Sequence, residues 1–378
     1  MDIYKKALEE HKRLKGKIST SLRANPDTKD ALSIFYSPGV AEVSRTIAED
    51  HSKLREYTWT NNLVAVISDG SSVLGLGNIG PEAAMPVMEG KAMLFKHFGG
   101  IDAVPIVLDV HTPDEVVTVI KAISKSFGGI NLEDFSAPNC FEIEERLKEE
   151  LDIPIMHDDQ HGTAIVVLAG LINAMKVVDK RLQDCRIVLI GAGAAGTAIA
   201  KLLTLYQHPE IIAIDSKGVI TSDRGDLTPE KEYLASLNFL APGRSYNLQD
   251  ALTKADVVIG VSKAGMLTQD DIRLMSDNAV VFGLANPEPE IMPDLAKEAG
   301  AKVVATGRSD FPNQVNNVLA FPGIFRGALD NGVKRITDDH KLAAAIAIAG
   351  LIEHPSADEV IPSPLDPRVC AVVASAIR

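Results

Sequence analysis

Cysteine is scarce in this sequence: Cys140, Cys185 and Cys370 are the only three, far apart and with no C-x-x-C among them. That excludes a disulfide framework, and buried thiols in a reducing compartment are expected instead. Positive charge is also in short supply, and the net charge of −13 argues against a nucleic-acid footprint or a polybasic membrane surface. Long hydrophobic runs are missing: "KLAAAIAIAGLI" and "GTAIVVLAGLINAM" fall short of a bilayer span and read as buried helices. The N-terminal stretch "MDIYKKALEEHKRLKGKI" is charged throughout and is not expected to serve as a signal peptide. The expected location is therefore cytoplasmic, with neither nucleic acid nor membrane as a partner.

What is present is an alternation of short apolar runs and helical segments. At 378 residues the chain has room for roughly two domains with real cores. The runs "LVAVI" (63–67), "AVPIVL" (103–108), "INLEDF" (130–135) and "IPIMH" (153–157) read as strands separated by helices. In "HTPDEVVTVIKAI", Thr112 as N-cap, Pro113 at the first helical position and Glu115 form a capping-box pattern. After a long apolar helix expected at 163–178, a second series begins: "RIVLI", "IIAI", "DVVIG", "AVVFGL" and "KVVAT". The expected fold class is α/β in two domains, each built on a parallel sheet. One would take residues 1–160 plus about 311–378, with C-terminal helices folding back, and the other residues 161–310.

Two glycine sets have the spacing G-x-G-x-x-G, and context separates them. Gly191, Gly193 and Gly196, with Ala194 and Ala195 between, follow a clear strand and open an alanine-rich helix. Small residues there let a pyrophosphate approach the backbone, and the helix N-terminus offers free N–H groups. The next strand ends in Asp215, where a carboxylate accepts from a ribose 2′-OH and repels a 2′-phosphate. This reads as a Rossmann site that prefers NAD⁺, with NADP⁺ possible because Lys217 is near enough to offset part of the repulsion. Gly75, Gly77 and Gly80 instead leave an "SDG" turn, and Pro81, Pro86 and Gly90 interrupt the next helical stretch. They read as a tight loop bringing backbone and Lys91 close to something other than a dinucleotide.

Acids gather where strands end: Asp69, then Glu133 and Asp134, then Asp158 and Asp159. In a parallel sheet those ends share one edge, where open α/β folds bind ligands. Oxygen ligands select a hard ion, Mg²⁺ or Mn²⁺. Neighbouring strand residues face opposite ways, so Glu133 and Asp134 can both ligate only if the strand has already broken. Asp134, Asp158 and Asp159 also read as helix caps. His157 and His161 in "HDDQH" lack the glutamate and the helix of a zinc-peptidase motif and are expected to be structural.

The stretches "FYSPGV", "DGSSVLGLGNIGPEAAMPVMEGKAMLFK", "NLEDFSAPN", "HDDQHGTA", "GAGAAG", "LANPEPE" and "NQVNNVLAFPG" together resemble the small bacterial type of malic enzyme. The resemblance runs from about Ala31 to Arg378. It implies oxidative decarboxylation of (S)-malate to pyruvate and CO₂ with NAD(P)⁺ and Mg²⁺ or Mn²⁺. By position in the matching motifs it implies Tyr36 as general acid and Lys91 as general base, with Asp158 as the partner of the lysine. The resemblance further implies Glu133, Asp134 and Asp159 as metal ligands, Asn286 and Asn317 as holders of the substrate carboxylate, Asn286 beside the cofactor as well, and a homodimer or dimer of dimers. Burial and a dication are expected to lower the pKa of Lys91 into a useful range. Taken alone, Tyr36 reads as a turn residue before Pro38 and Lys91 as a helix-surface cation. The alternatives are a malolactic-type enzyme, an amino-acid or folate dehydrogenase, and a non-catalytic NAD sensor.

Overall fold

A computed structural model describes residues 3–73, 75–241 and 243–378. The first sheet holds β1 (Leu63–Ser68), β2 (Asp102–Val107), β3 (Gly129–Leu132) and β4 (Ile155–His157), all parallel in the order β2-β1-β3-β4. The second holds β5 (Arg186–Ile190), β6 (Glu210–Asp215), β7 (Gly218–Val219), β8 (Val257–Gly260), β9 (Val280–Gly283) and β10 (Val303–Thr306) in the order β10-β9-β8-β5-β6-β7. Only β7 is antiparallel, a short return of the chain just after Asp215.

Both faces of each sheet are covered, as parallel sheets require. In β1 the alternation is direct: Leu63, Ala65 and Ile67 join one cluster with the helices Pro113–Ile123 and Asn139–Glu150. Val64 and Val66 face a second cluster that extends into the other sheet through Ile187, Val257 and Val280. That shared core is centred on the helix Asp158–Val178, which packs along the helix Ala194–Gln207. With 21 residues the helix is long and apolar enough to cross a membrane, so "GTAIVVLAGLINAM" belongs to a longer apolar element than expected; most of it is buried between the sheets.

The capping box of Thr112 and Glu115 forms as expected. Two boundaries differ. The helix expected from residue 163 begins at Asp158, directly after β4, because no turn residue intervenes. The helix Pro81–Gly99 continues through Pro86 and Gly90, the interior proline removing one amide bond of the helix. Phe95 of this helix packs against Phe321 and Phe325, with ring centroids 4.7 and 5.4 Å apart, which seats the C-terminal helix Phe321–Asn331 on the first sheet's layer. Cys140 and Cys185 are buried, Cys370 is half-buried, and none is in a disulfide. Burial pushes the Cys140 thiol up to about 12 and the Cys185 thiol up to about 11.

Candidate active site

β3 stops at Leu132, and the next two residues leave the strand. Asp134 has φ +57°, a left-handed conformation that aspartate tolerates better than most residues. This break lets Glu133 and Asp134 face the same space, the condition set by their adjacency. Asp159 arrives from the first turn of the helix after β4, and its Oδ2 accepts from the Asp134 amide at 2.7 Å. One oxygen from each of Glu133, Asp134 and Asp159 lies within 4.8 Å of the others. Asp69 is not in this group; its Oδ1 accepts from the Ser71 amide and hydroxyl and shapes the turn after β1.

Lys91 projects from the helix Pro81–Gly99 into the same space and is buried. Its Nζ lies 2.7 Å from Glu133 Oε1 and donates to Asp158 Oδ2 at 2.6 Å. The ring of Phe321 covers it, 4.5 Å from Nζ to centroid. Burial alone would lower the lysine pKa, but Asp158, Glu133 and Asp159 outweigh it and hold the value above the ordinary one. Three acids here converge on a single ammonium, and the depression expected of Lys91 is one that burial produces together with a dication. Burial pushes Glu133 well above the usual carboxylate range, Lys91 relieving only part of the shift. Such an excess of buried negative charge fits a dication: the all-oxygen donor set suits Mg²⁺ or Mn²⁺, and a cation there would cancel the charge that holds the proton on Lys91.

Several supporting residues carry no signal in the sequence. Asn131, inside β3, donates to Glu133 Oε2 at 2.8 Å and orients it. Gly162 makes room for Asp158, since a Cβ there would lie 1.9 Å from Asp158 Oδ1. Glu144 is buried behind the cluster, where it accepts from the His157 amide at 2.9 Å and contacts His161 Nε2 at 2.8 Å. The His161 ring is thereby tied to a structural partner, whereas only the backbone amide of His157 is held by Glu144 and its ring Nε2 lies 3.3 Å from Asp159 Oδ2. Glu290 joins the loops after β8 and β9 by accepting from the amides of Ser262 and Ala285, which fixes the approach to Asn286.

The glycine sets also differ as expected. Gly191 has φ +115°, and a Cβ on Gly196 would lie 1.9 Å from the Gly191 carbonyl oxygen, so this glycine permits close strand–helix packing. Gly193 has nothing within 4 Å of a Cβ position and leaves its face open to a ligand. The other set spans the cleft: a Cβ on Gly75 would meet the Asn286 carbonyl oxygen at 2.4 Å. A single cavity of about 810 Å³ joins the two halves, and its walls include Lys91, Glu133, Asp134, Asp159, Gly193, Ala194, Ala195, Gly196, Asn286 and Asn317.

Two candidate residues stand elsewhere. Asp215 ends β6, as expected, but its carboxylate is occupied. Oδ1 accepts from the Lys217 amide (2.8 Å) and Arg224 Nη1 (3.0 Å), and Oδ2 from Arg224 Nη2 (2.9 Å) and Lys231 Nζ (2.7 Å). Burial would raise its pKa, but the bonds from Arg224 and Lys231 prevail and hold it at about 2. Tyr36 is 73% exposed and does not line the cavity.

Residues 14–148 match the family model described as malic enzyme, N-terminal domain, and residues 160–376 match malic enzyme, NAD binding domain. The chain is 52% identical over 380 residues to a Bacillus subtilis protein named bifunctional malic/malolactic enzyme, covering 100% of this chain and 92% of that protein. It is 52% identical over 364 residues to the NAD-dependent malic enzyme of Geobacillus stearothermophilus, covering 96% of this chain and 76% of that one. Among solved structures, malic enzyme from Pyrococcus horikoshii superposes with a TM-score of 0.94 at 49% identity, covering 99% of this chain and 89% of that one.

Proposed function

Because the chain belongs to the malic enzyme family, we propose an assignment of roles in its reaction, the oxidative decarboxylation of (S)-malate to pyruvate and CO₂ with reduction of NAD(P)⁺. The observation that carries the assignment is one cavity in which a buried lysine, clamped by Glu133 and Asp158, sits beside three clustered carboxylates and opposite a glycine-rich helix N-terminus. Glu133, Asp134 and Asp159 would hold Mg²⁺ or Mn²⁺, which would supply Lewis-acid stabilisation of negative charge developing on the substrate. The loop from Gly191 through Gly196, with Ala194 and Ala195, receives the pyrophosphate of the dinucleotide, the hydride acceptor.

Lys91 takes the C2 hydroxyl proton at Nζ, and Asp158 holds that nitrogen in place. Asn286 and Asn317 present amide donors to the malate carboxylate from the loops after β9 and β10. Tyr36 returns a proton to C3 after CO₂ has left. Asn286 also borders the cofactor. Residues 1–160 with 311–378 form the substrate- and metal-binding domain and residues 161–310 the Rossmann domain; the tilted contact of Phe321 with Phe95 supports assigning the C-terminal helices to the former. The working form is a homodimer or a dimer of dimers, in the cytoplasm.

The test follows absorbance at 340 nm with malate, Mn²⁺ and either cofactor, with and without chelator, and identifies the product. Pyruvate formed together with reduced cofactor supports the reading. Lactate without net reduced cofactor would assign the malolactic reaction, which the name of the Bacillus subtilis relative couples to the malic one.

A further inference from the structure

β4 ends in a side chain that packing does not account for. His157 is fully buried, at 0% exposure, where its register partner on β3 is Leu132 and the Phe135 ring stands 6.3 Å away between centroids. The backbone there is provided for, since the His157 amide donates to Glu144 Oε1. The ring is not: among the described residues neither Nδ1 nor Nε2 has a hydrogen-bond partner. A buried polar group left unpaired bears its full desolvation cost, and a leucine would fill much of the same space without it. An imidazole kept under those conditions calls for a use.

A partner stands beside it. Nε2 lies 3.3 Å from Oδ2 of Asp159, just outside the range of a well-formed N–H···O bond, about 2.7–3.2 Å. With Nε2 bare, its lone pair would be set against those of a carboxylate; with a proton on Nε2, the same approach becomes a charge-assisted hydrogen bond. Oδ2 already accepts from the Asp134 amide at 2.7 Å, so a second donor uses both of its lone pairs and leaves Oδ1 as the free oxygen. The other two acids of the cluster have supports of their own: Asn131 holds Glu133, and the left-handed backbone at Asp134 aims that carboxylate. Asp159, with its side chain 33% exposed, has no side-chain hydrogen-bond donor among the described residues.

We infer that His157 is a positioning residue for Asp159: its Nε2–H donates to Oδ2 and holds the carboxylate turned so that Oδ1 faces the divalent ion. The inference rests on the reading of Asp159 as a ligand, and the experiment separates the two.

Mn²⁺ binding to the whole chain is measured by calorimetry for wild type, Asp159→Ala, His157→Leu and His157→Gln, and urea unfolding of each is followed in excess EDTA. The leucine removes both nitrogens, while the glutamine amide can place a donor where Nε2 stands. His157→Leu should weaken Mn²⁺ binding by about 10–100-fold, the usual scale for losing a group that orients a metal ligand, yet be no less stable than wild type in EDTA. His157→Gln should stay within about fivefold of the wild-type affinity. A histidine that only packs gives the reverse, lower stability in EDTA with wild-type Mn²⁺ affinity. That result, or a glutamine variant that binds as weakly as the leucine one, overturns the inference. If Asp159→Ala binds Mn²⁺ as wild type does, the ligand assignment fails and the role of His157 falls with it. If Asp159→Ala loses the ion and His157→Leu keeps it, the role of His157 alone fails. Should the leucine variant not fold, NMR of Mg²⁺-loaded wild type labelled at its histidine ring nitrogens decides, the His157 signal being the one absent from His157→Gln: a proton on Nε2 supports the inference, and a proton on Nδ1 alone overturns it.

Discussion

The occupied carboxylate of Asp215 changes what selects the cofactor. Three cations, Arg224, Lys231 and Lys217, surround two anions, Asp215 and Asp226, leaving one net positive charge where the adenosine ribose would lie. With two bonds on each oxygen, Asp215 has no acceptor to spare for a ribose 2′-OH. A unit charge ~8 Å from a 2′-phosphate, at an effective dielectric of ~20, interacts by about 2 kcal/mol per phosphate charge. With a phosphate charge near −2 and salt removing about half, ~2 kcal/mol remains, or roughly 30-fold. Arg224→Ala should therefore lower kcat/KM for NADP⁺ by about 30-fold while NAD⁺ gains, because Asp215 regains its acceptors. Asp215→Asn should raise NADP⁺ by a similar factor and leave NAD⁺ nearly unchanged. Steady-state kinetics with both cofactors reads these ratios. If Asp215→Asn costs NAD⁺ tenfold and leaves NADP⁺ alone, the carboxylate does face the ribose and the reasoning fails. The same residue bears on stability: a folded pKa of about 2 against an ordinary 3.8 gives stability that is present above about pH 4 and is lost as pH falls toward 2. After allowance for partial exposure this is ~1–2 kcal/mol. Urea unfolding should show that gap between wild type and Asp215→Asn at pH 7, narrowing below about pH 4.

Other expectations come from the cluster. Chelation should abolish malate oxidation and Mn²⁺ or Mg²⁺ restore it, while Asp159→Ala should lose Mn²⁺ binding by calorimetry yet keep its circular dichroism; full activity in excess EDTA contradicts the ligand set. Asn131→Ala, which frees Glu133, should weaken Mn²⁺ binding by about 10–100-fold; unchanged affinity would reduce Asn131 to a packing residue. Gly162→Ala drives a methyl group into Asp158 and should collapse kcat with little change in KM for the cofactor, whereas wild-type turnover would show that Asp158 can move freely. Lys91→Ala should suppress malate oxidation most, and Tyr36→Phe should chiefly slow exchange of pyruvate methyl protons in D₂O by NMR. Equal damage to both half-reactions removes the distinction between acid and base.

Strands and glycine motifs are legible in the sequence because their signals are local. β5, the loop at Gly191 and the strand ending in Asp215 can be read from neighbouring residues, and so can the break after Leu132, which adjacent acids demand if both are to face one ion. What is not legible depends on residues far apart in the chain. Asn131 looks like any polar residue in a strand until Glu133 turns back on it. Gly162 needs Asp158 beside it, and Glu144 needs β4. The position of Asp215 is readable but its availability is not, because Arg224 and Lys231 reach it from beyond the short antiparallel β7. The number of carboxylates around Lys91 escapes the sequence for a similar reason: composition cannot count how many converge on one ammonium.

The helix Asp158–Val178 begins with the partner of Lys91 and one of the cluster's acids and continues as the buried element against which the cofactor-side helix Ala194–Gln207 lies. The gap a hydride must cross is therefore a dimension of the protein interior, set by side chains that never meet malate or nucleotide. Gly170 is one such gauge, with the Phe282 ring 3.1 Å from where a methyl group would stand. Thickening the contact there would push the helix that carries Asp158 and Asp159 away from the cofactor-side sheet as a shim does, lengthening the transfer distance. Turnover in this enzyme is thus exposed to substitutions in its core that a survey confined to the cleft would pass over.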